Sequence, residues 1–247
     1  MYEYEYEAMY RLEDFYWWYI ARRSLAVELL RGQIKEFETV RILDIGCGTG
    51  ANMSKFSELG QIVGIDPSDE ALSFCHQRGL QKVVSSQVEA MPFANRTFNV
   101  VTALDVLEHI DDDLQALREI HRVCDPSGIL FITVPAYGFL WSEHDEALKH
   151  RRRYTAHELR NKLTITGFEV IRTTYFISGL FFPILALRIW QGLRKNSTAP
   201  KSSLFVLPKL VNSSLIRLLD IEQKVLRRVN LPFGVSVIAM ARPIAPR

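Results

Sequence analysis

Val40-Arg41-Ile42-Leu43-Asp44-Ile45-Gly46-Cys47-Gly48-Thr49-Gly50 joins a short apolar run to a turn with glycine at every second position. Val40, Ile42, Leu43 and Ile45 make the near-continuous apolar run expected of a strand covered on both faces. Glycines at 46, 48 and 50 let backbone approach a ligand where any Cβ would collide. The spacing is Gly-x-Gly-x-Gly, not the Gly-x-Gly-x-x-Gly that seats a pyrophosphate on a helix N-terminus, so a diphosphate ligand is the weaker reading. Taken alone, the triplet reads equally well as a tight strand-to-helix turn.

The residues that follow separate those readings. Gln61-Ile62-Val63-Gly64-Ile65-Asp66 has the form of a second strand ending in a carboxylate, followed by Pro67-Ser68 and a helix over 68–78. In an open parallel sheet the ligand crevice lies outside the carboxyl ends of the strands, so Gly46 to Gly50 and Asp66 would face one nucleoside, with Asp66 accepting from the ribose hydroxyls. The pattern continues with strands over 81–86, 98–104, 128–134 and 168–176 and helices over 50–59, 111–124 and 155–166. Such alternation predicts an α/β fold, a doubly wound parallel sheet with helices on both faces. Asp111 is the expected N-cap of its helix, Thr155 to Glu158 has the form of a capping box, and Gly128 and Gly167 are expected to stop helices.

Four motifs in order carry a family resemblance: Leu43 to Gly50, Gly64-Ile65-Asp66-Pro67-Ser68, Glu89-Ala90-Met91-Pro92-Phe93 and Leu104-Asp105-Val106-Leu107-Glu108-His109-Ile110. Together they resemble the class I S-adenosylmethionine-dependent methyltransferases over residues 38–175, and the likeness resumes at the last strand, Val235 to Arg242. The resemblance implies a Rossmann-like sheet of seven strands with the last antiparallel, and S-adenosyl-L-methionine as cofactor. It also implies that Asp44 and the loop residues Gly46, Cys47, Gly48 and Gly50 surround the methionine moiety. Asp66, followed by Pro67, would hold the ribose, and Gln87, Val88 and Glu89, with Leu104 at the fourth strand end, would complete the cofactor site. Where many relatives place an Asp against the adenine amino group this chain has Gln87, whose amide oxygen also accepts.

The implied domain plan is an N-terminal helical lid over 1–37, the cofactor-binding domain over 38–176, a basic and apolar helical insertion over 177–230, and the final strand with its tail over 231–247. Met9, Leu12, Phe15, Tyr16, Tyr19 and Ile20 give residues 9–31 the period of one amphipathic helix. Trp17-Trp18-Tyr19 with Arg22-Arg23 reads as a lid whose aromatics, Trp18 among them, cover the cofactor and whose Arg22 meets a carboxylate; the alternative is packing outside the core with solvated arginines. The whole chain carries only +2, yet residues 176–228 hold nine Lys and Arg against Asp220 and Glu222, so the remainder is acidic overall. That segregation suggests an anionic partner for one segment. Thr173 to Leu187 is uncharged, and fifteen residues with an internal proline fall short of the roughly 20 that span a bilayer. An interfacial helix on an anionic membrane through residues 176–228 is one reading; a helical pair packed on its own domain or on a second subunit is the other.

Methyl transfer from a sulfonium is an in-line displacement, so few groups are needed beyond positioning and a base for a hydroxyl acceptor. His109 lies beyond the fourth strand on the acceptor side and is the first candidate base; His144, in the loop after the fifth strand, is the second. Asp105, Glu108, His109 and His150 also have the makings of a divalent-ion site, although the same run occurs in metal-free relatives, and no metal is assigned. Lys149-His150-Arg151-Arg152-Arg153 is either a phosphate-binding cluster or a solvated face.

The expected activity is methylation of a small-molecule hydroxyl on a lipid-, quinone- or glycan-linked acceptor. The alternatives are a metal-assisted RNA 2′-O-methyltransferase and a non-catalytic cofactor-binding scaffold recruited to membranes. No Asn/Asp-Pro-Pro-Tyr follows the fourth strand and no Pro-Cys is present, which argues against exocyclic base amines and cytosine C5; nucleic acid is the less favoured partner. At 247 residues and 48% apolar the chain suits one decorated domain. Cys47, Cys75 and Cys124 form no C-x-x-C pair and read as buried thiols, and Met1 to Tyr10 lacks a secretory pattern, so the expected location is the cytoplasm or its membrane surface.

Overall fold

The computed structural model describes residues 3–34, 38–193 and 206–244. In chain order the elements are α1 (Glu3–Leu12), α2 (Trp17–Arg31), β1 (Arg41–Ile45), α3 (Ala51–Phe56), β2 (Gln61–Asp66), α4 (Asp69–Gln77), β3 (Val83–Ser85) and β4 (Phe98–Leu104). They continue with α5 (Asp113–Val123), β5 (Cys124–Pro135), α6 (Glu143–Ala147), α7 (Ala156–Ile165), β6 (Phe168–Phe176), α8 (Phe181–Leu193), α9 (Lys209–Leu226) and β7 (Ser236–Pro243). The seven strands form one sheet in the order β3-β2-β1-β4-β5-β7-β6. All pairings are parallel except those of β7, which runs antiparallel between β5 and β6. The strand order reverses between β1 and β4, so their carboxyl ends diverge into a crevice there.

Alternate side chains of each strand feed two cores. Leu43 and Ile45 of β1 join Val101 and Ala103 of β4 under α5 and α7, whereas Ile42, Val100 and Leu104 pack with α2, α3 and α9 on the other face. The carboxyl end of the sheet is tied to the following loop by Asp113, buried in the first turn of α5. Its carboxylate accepts from Tyr154 Oη at 2.8 Å and Lys162 Nζ at 2.8 Å, and Arg152 approaches to 3.3 Å.

Several local expectations are corrected. The helix read over 9–31 is two helices, because Glu13 is drawn into the core by Thr49 and Arg78 and Tyr16 is extended ahead of α2. The N-cap of α5 is Asp112, whose side chain accepts from the Gln115 amide at 2.9 Å, rather than Asp111. Gly128 does not stop a helix: β5 starts at Cys124, and Gly128 lies beside an irregularity in β4–β5 pairing where a Cβ would meet Asn99 O at 2.9 Å. The Thr155 capping box forms as read, and Gly167 ends α7 with φ +91°. The insertion contributes α8 and α9; Arg194, Lys195 and Lys201 of its basic set lie outside the described residues. Among the described residues no helix is long and apolar enough to cross a membrane.

Tyr154→Phe is expected to lower stability by about 1–3 kcal/mol, since the buried Asp113 carboxylate loses one of its donors. Chemical denaturation measures this, and an unchanged midpoint would show that Asp113 does not need the phenol.

Candidate active site

The glycine loop follows β1 directly. Gly46, Gly48 and Gly50 all have positive φ, at +62°, +53° and +89°. A Cβ on Gly46 would stand 2.6 Å from Val106 Cγ2, so there both conformation and space require glycine, whereas at Gly48 the only near atoms are the flexible end of Met9 and it is the positive φ that favours glycine. Asp66 at the end of β2 accepts from the Gly48 amide through Oδ2 at 3.0 Å and from the Ser68 amide through Oδ1 at 3.0 Å. Burial raises the Asp66 pKa, against the pull of those two amides. Below the loop, Asp44 Oδ1 accepts from Thr102 Oγ1 at 2.6 Å, while its Oδ2 is buried with no partner and burial pushes its pKa up to about 7.

These elements open on one cavity of about 980 Å³. Of the cofactor residues expected from the sequence, Trp18, Arg22, Gly46, Cys47, Gly48 and Asp66 line it, as do Pro67, Gln87, Val88, Glu89 and Leu104. Asp44 and Gly50 do not: Asp44 supports the loop from beneath, and Gly50 starts α3 beside Leu80 and Cys75. Cys47 is buried and its thiol pKa is pushed up, chiefly by Cys75 alongside and by burial.

The N-terminal helices cover the cavity. Glu13 accepts from the Thr49 hydroxyl, Arg78 Nη2 bonds Glu13 Oε1 at 2.9 Å, and Arg78 Nε donates to Thr49 O at 2.8 Å, so the α1–α2 junction is fastened to the glycine loop. Trp17 and Tyr19 line the cavity beside Trp18, as do Tyr6, Met9, Glu13 and Tyr16, which the sequence reading did not assign to it. Arg22 is ion-paired with Asp105, whose Oδ1 also accepts from Thr133 Oγ1 at 2.8 Å. Arg22 Nε remains buried without a partner. The orphaned donor on Arg22, a residue that lines the cavity beside Gly46 and Gly48, suits the carboxylate of an amino-acid-bearing nucleoside.

On the acceptor side His109, His144 and His150 converge on the same cavity. The His109 and His150 rings meet edge to face with centroids 4.7 Å apart, and His144 and His150 lie 6.2 Å apart. Burial, with His150 alongside, lowers the His109 pKa to about 3 and that of His144 to about 4. His150 differs, since its Nδ1 lies 2.9 Å from Asp145 Oδ1. Asp145 is held by Arg153 through two contacts of 2.8 and 3.0 Å, and His150 and Arg153 outweigh its burial to keep its pKa below the usual carboxylate range. Asp145 and His150 are a pairing that spacing alone did not disclose. Both oxygens of Glu108 are buried without a partner, and ligand atoms of Glu108, His109 and His150 lie within 4.8 Å of one another, close enough for one cation. Asp105 is not in that group, being engaged by Arg22 and Thr133. The basic loop is largely neutralised within the protein: Arg153 is paired with Asp145, Arg152 with Asp113 and Arg151 with Asp111. From α8, Arg188 also faces the cavity, with Nε buried and unpartnered.

Residues 43–132 match the family described as "Methyltransferase domain". An uncharacterised protein of Mycobacterium tuberculosis is 34% identical over 168 residues, which are 62% of this chain and 57% of that protein, so less than two thirds of the relative is spanned. The ubiquinone biosynthesis O-methyltransferase of Parvibaculum lavamentivorans is 26% identical over 182 residues, covering 69% of this chain and 68% of its own. A SAM dependent methyltransferase of Archaeoglobus fulgidus shares the fold with a TM-score of 0.55 at 20% identity, over 89% of this chain and 94% of that one. Sheet order and crevice geometry are those of the solved methyltransferase fold, and residues 43–132 carry the likeness to a methyltransferase domain.

Proposed function

We propose that the protein transfers the methyl group of S-adenosyl-L-methionine to a hydroxyl of a small, largely apolar acceptor, of the lipid-, quinone- or glycan-linked kind. The observation that carries this reading is the placement of the Gly46–Gly48 cradle and Asp66 at one end of a cavity whose other end holds three histidines. When bound, the cofactor supplies an electrophilic methyl on sulfur. Asp66 and the Gln87–Glu89 segment hold the nucleoside, Arg22 and the loop hold the amino-acid end, and Trp18 with the other aromatics of α2 excludes water.

The acceptor oxygen must lose its proton as the new C–O bond forms and the C–S bond breaks. His150 suits that task best, because Asp145 at Nδ1 compensates the charge of the imidazolium. His109, one of whose ring nitrogens donates to the Leu148 carbonyl, and His144 stay neutral in their buried positions and act as hydrogen-bonding walls. Apolar Ile184, Leu187 and Leu215 line the cavity from the insertion and favour an acceptor with an apolar body. A second reading is motivated by the unpartnered Glu108 oxygens beside His109 and His150: a divalent ion there would polarise the acceptor oxygen directly. Turnover lost on chelation and restored by Mg²⁺ or Mn²⁺ would favour it.

Calorimetry with S-adenosylhomocysteine is expected to show binding that Asp66→Ala weakens about tenfold or more, the loss of hydrogen bonds to a charged group. Equal affinity would remove Asp66 from the ribose. His150→Gln is expected to lower turnover by about 10²–10⁴ while S-adenosylhomocysteine affinity stays within about twofold. If cofactor affinity falls in parallel with turnover, His150 supports the donor site instead.

The histidine pocket also sets a pH dependence of stability. His109 near 3 and His144 near 4 stay neutral in the folded protein, whereas unfolded imidazoles near 6.5 bind protons. The unfolded state therefore binds more protons between those values, so this stability is present above pH 6.5 and lost as pH falls towards 3. The melting temperature of His109→Gln is expected to fall less than that of the wild type between about pH 7 and pH 4.5. Parallel curves would mean that His109 is not held neutral.

A further inference from the structure

Eleven of the seventeen large apolar side chains exposed among the described residues lie between Phe182 and Val229, on α8, on α9 and beside them. On α8 the outer side carries Phe182, Ala186, Ile189 and Trp190 at helical spacing, and the helix contains no acid. On α9 the outer side carries Leu210, Leu218, Ile221 and Val225, with Leu210 81% and Ile221 60% exposed. Between and beside them Lys209, Arg217, Lys224 and Arg228 are exposed. Of the two acids in α9, Glu222 is engaged by the amides of Ser178 and Gly179 at 3.0 Å each, which leaves Asp220 as the exposed one.

Apolar side chains ringed by cations match an anionic lipid surface, where burial of the former and attraction of the latter add. They do not match a second copy of the same face, since a twofold interface would set its cations against themselves. At 13 residues, or about 20 Å, α8 is too short to cross a bilayer and long enough to lie in its surface. The opposite side of the insertion belongs to the active site. Ile184, Arg188 and Leu215 line the cavity, and Leu187 and Gln191 both line it and reach the outer surface. The platform is held to the lid as well, through Gln223 Nε2 to Ala21 O at 3.1 Å and Asn212 Oδ1 accepting from the Trp17 amide at 3.0 Å.

We propose that the outer faces of α8 and α9 dock on an anionic lipid bilayer and set the rim of the active-site cavity against it, so that an apolar acceptor enters from the lipid. The docking stands on the surface itself; the acceptor route rests on the methyl-transfer reading above.

Co-sedimentation of the full-length protein with phosphatidylcholine vesicles, with and without about one third phosphatidylglycerol, tests the docking. Binding is expected to the anionic vesicles and to weaken with salt. Ile189→Ser with Ile221→Ser is expected to lower the partition coefficient about tenfold or more, and Lys209→Gln with Arg217→Gln and Lys224→Gln to abolish the preference for phosphatidylglycerol. No vesicle binding by the wild type, or binding unchanged in both variants, would overturn the proposal. So would light scattering that shows a wild-type dimer converted to monomer by the serine variant with vesicle binding retained, since the face would then be a subunit interface. Each variant is also titrated with S-adenosylhomocysteine. Retained affinity shows that the fold is intact, whereas a wild type that docks on vesicles but does not bind S-adenosylhomocysteine would refute the methyl-transfer reading and leave the docking standing.

Discussion

The amide of Gly48 donates to Asp66 Oδ2, and this bond joins the ends of the first two parallel strands where the chain turns left-handed. Three further contacts hold the same few residues: Cys75 Sγ donates to Gly48 O at 3.2 Å, Arg78 Nε donates to Thr49 O, and the Thr49 hydroxyl donates to Glu13. A backbone that visits positive φ at alternate residues has many other conformations available when free, and folding must remove them. The polar contacts around the loop define one of them, with the Cys47, Gly48 and Gly50 amides and the Gly48 and Thr49 carbonyls already engaged. The donor end of the site is thus preorganised by the packing of β1, β2, α4 and the N-terminal segment together.

How far the site can be read from sequence follows from the range of the forces that make it. The β1 turn, β2 and Asp66 are legible because the period of the strands and the placement of glycine act within a few residues. Gln87 to Glu89 is found only through its likeness to other proteins, since a 3-10 turn against a cavity leaves no periodic trace. The break between α1 and α2 is hidden, because Leu12, Phe15, Tyr16 and Tyr19 keep helical spacing through it and the force that opens it comes from Thr49 and Arg78, 36 and 65 residues away from Glu13. The partnership of Asp145 with His150 and Arg153 is local in sequence, yet it depends on α6 and on a bend at Lys149 with φ +58° that period and composition do not announce. The same buried pair explains why a basic run that looks like an anion site is mostly committed internally.

Donor and acceptor chemistry are built from different materials. The donor end is backbone and short polar side chains at the ends of β1 and β2, held by the register of those strands and by the Gly48 and Ser68 amides on Asp66. The far end of the cavity is assembled from the loop after β5 and from α8 and α9, where Ile184, Leu187 and Leu215 line the walls together with the histidines and Arg188. Burial that lowers the basicity of His109 and His144 acts through those walls, so the protonation behaviour of the pocket depends on how well the insertion keeps water out.

Because β7 runs antiparallel between β5 and β6, Phe176 at the end of β6 lies in register with Ser236 at the start of β7, and Val235 donates to Phe176 O at 2.9 Å. The long excursion between them therefore leaves and rejoins the sheet at one point, on the same edge as the cavity. Its length enters the closure entropy only logarithmically and its sequence does not enter the strand register at all. The helices that line the cavity from this excursion are in this sense a cassette: a different pair of helices, ending in the same two strand positions, would present a different wall to an unaltered glycine loop.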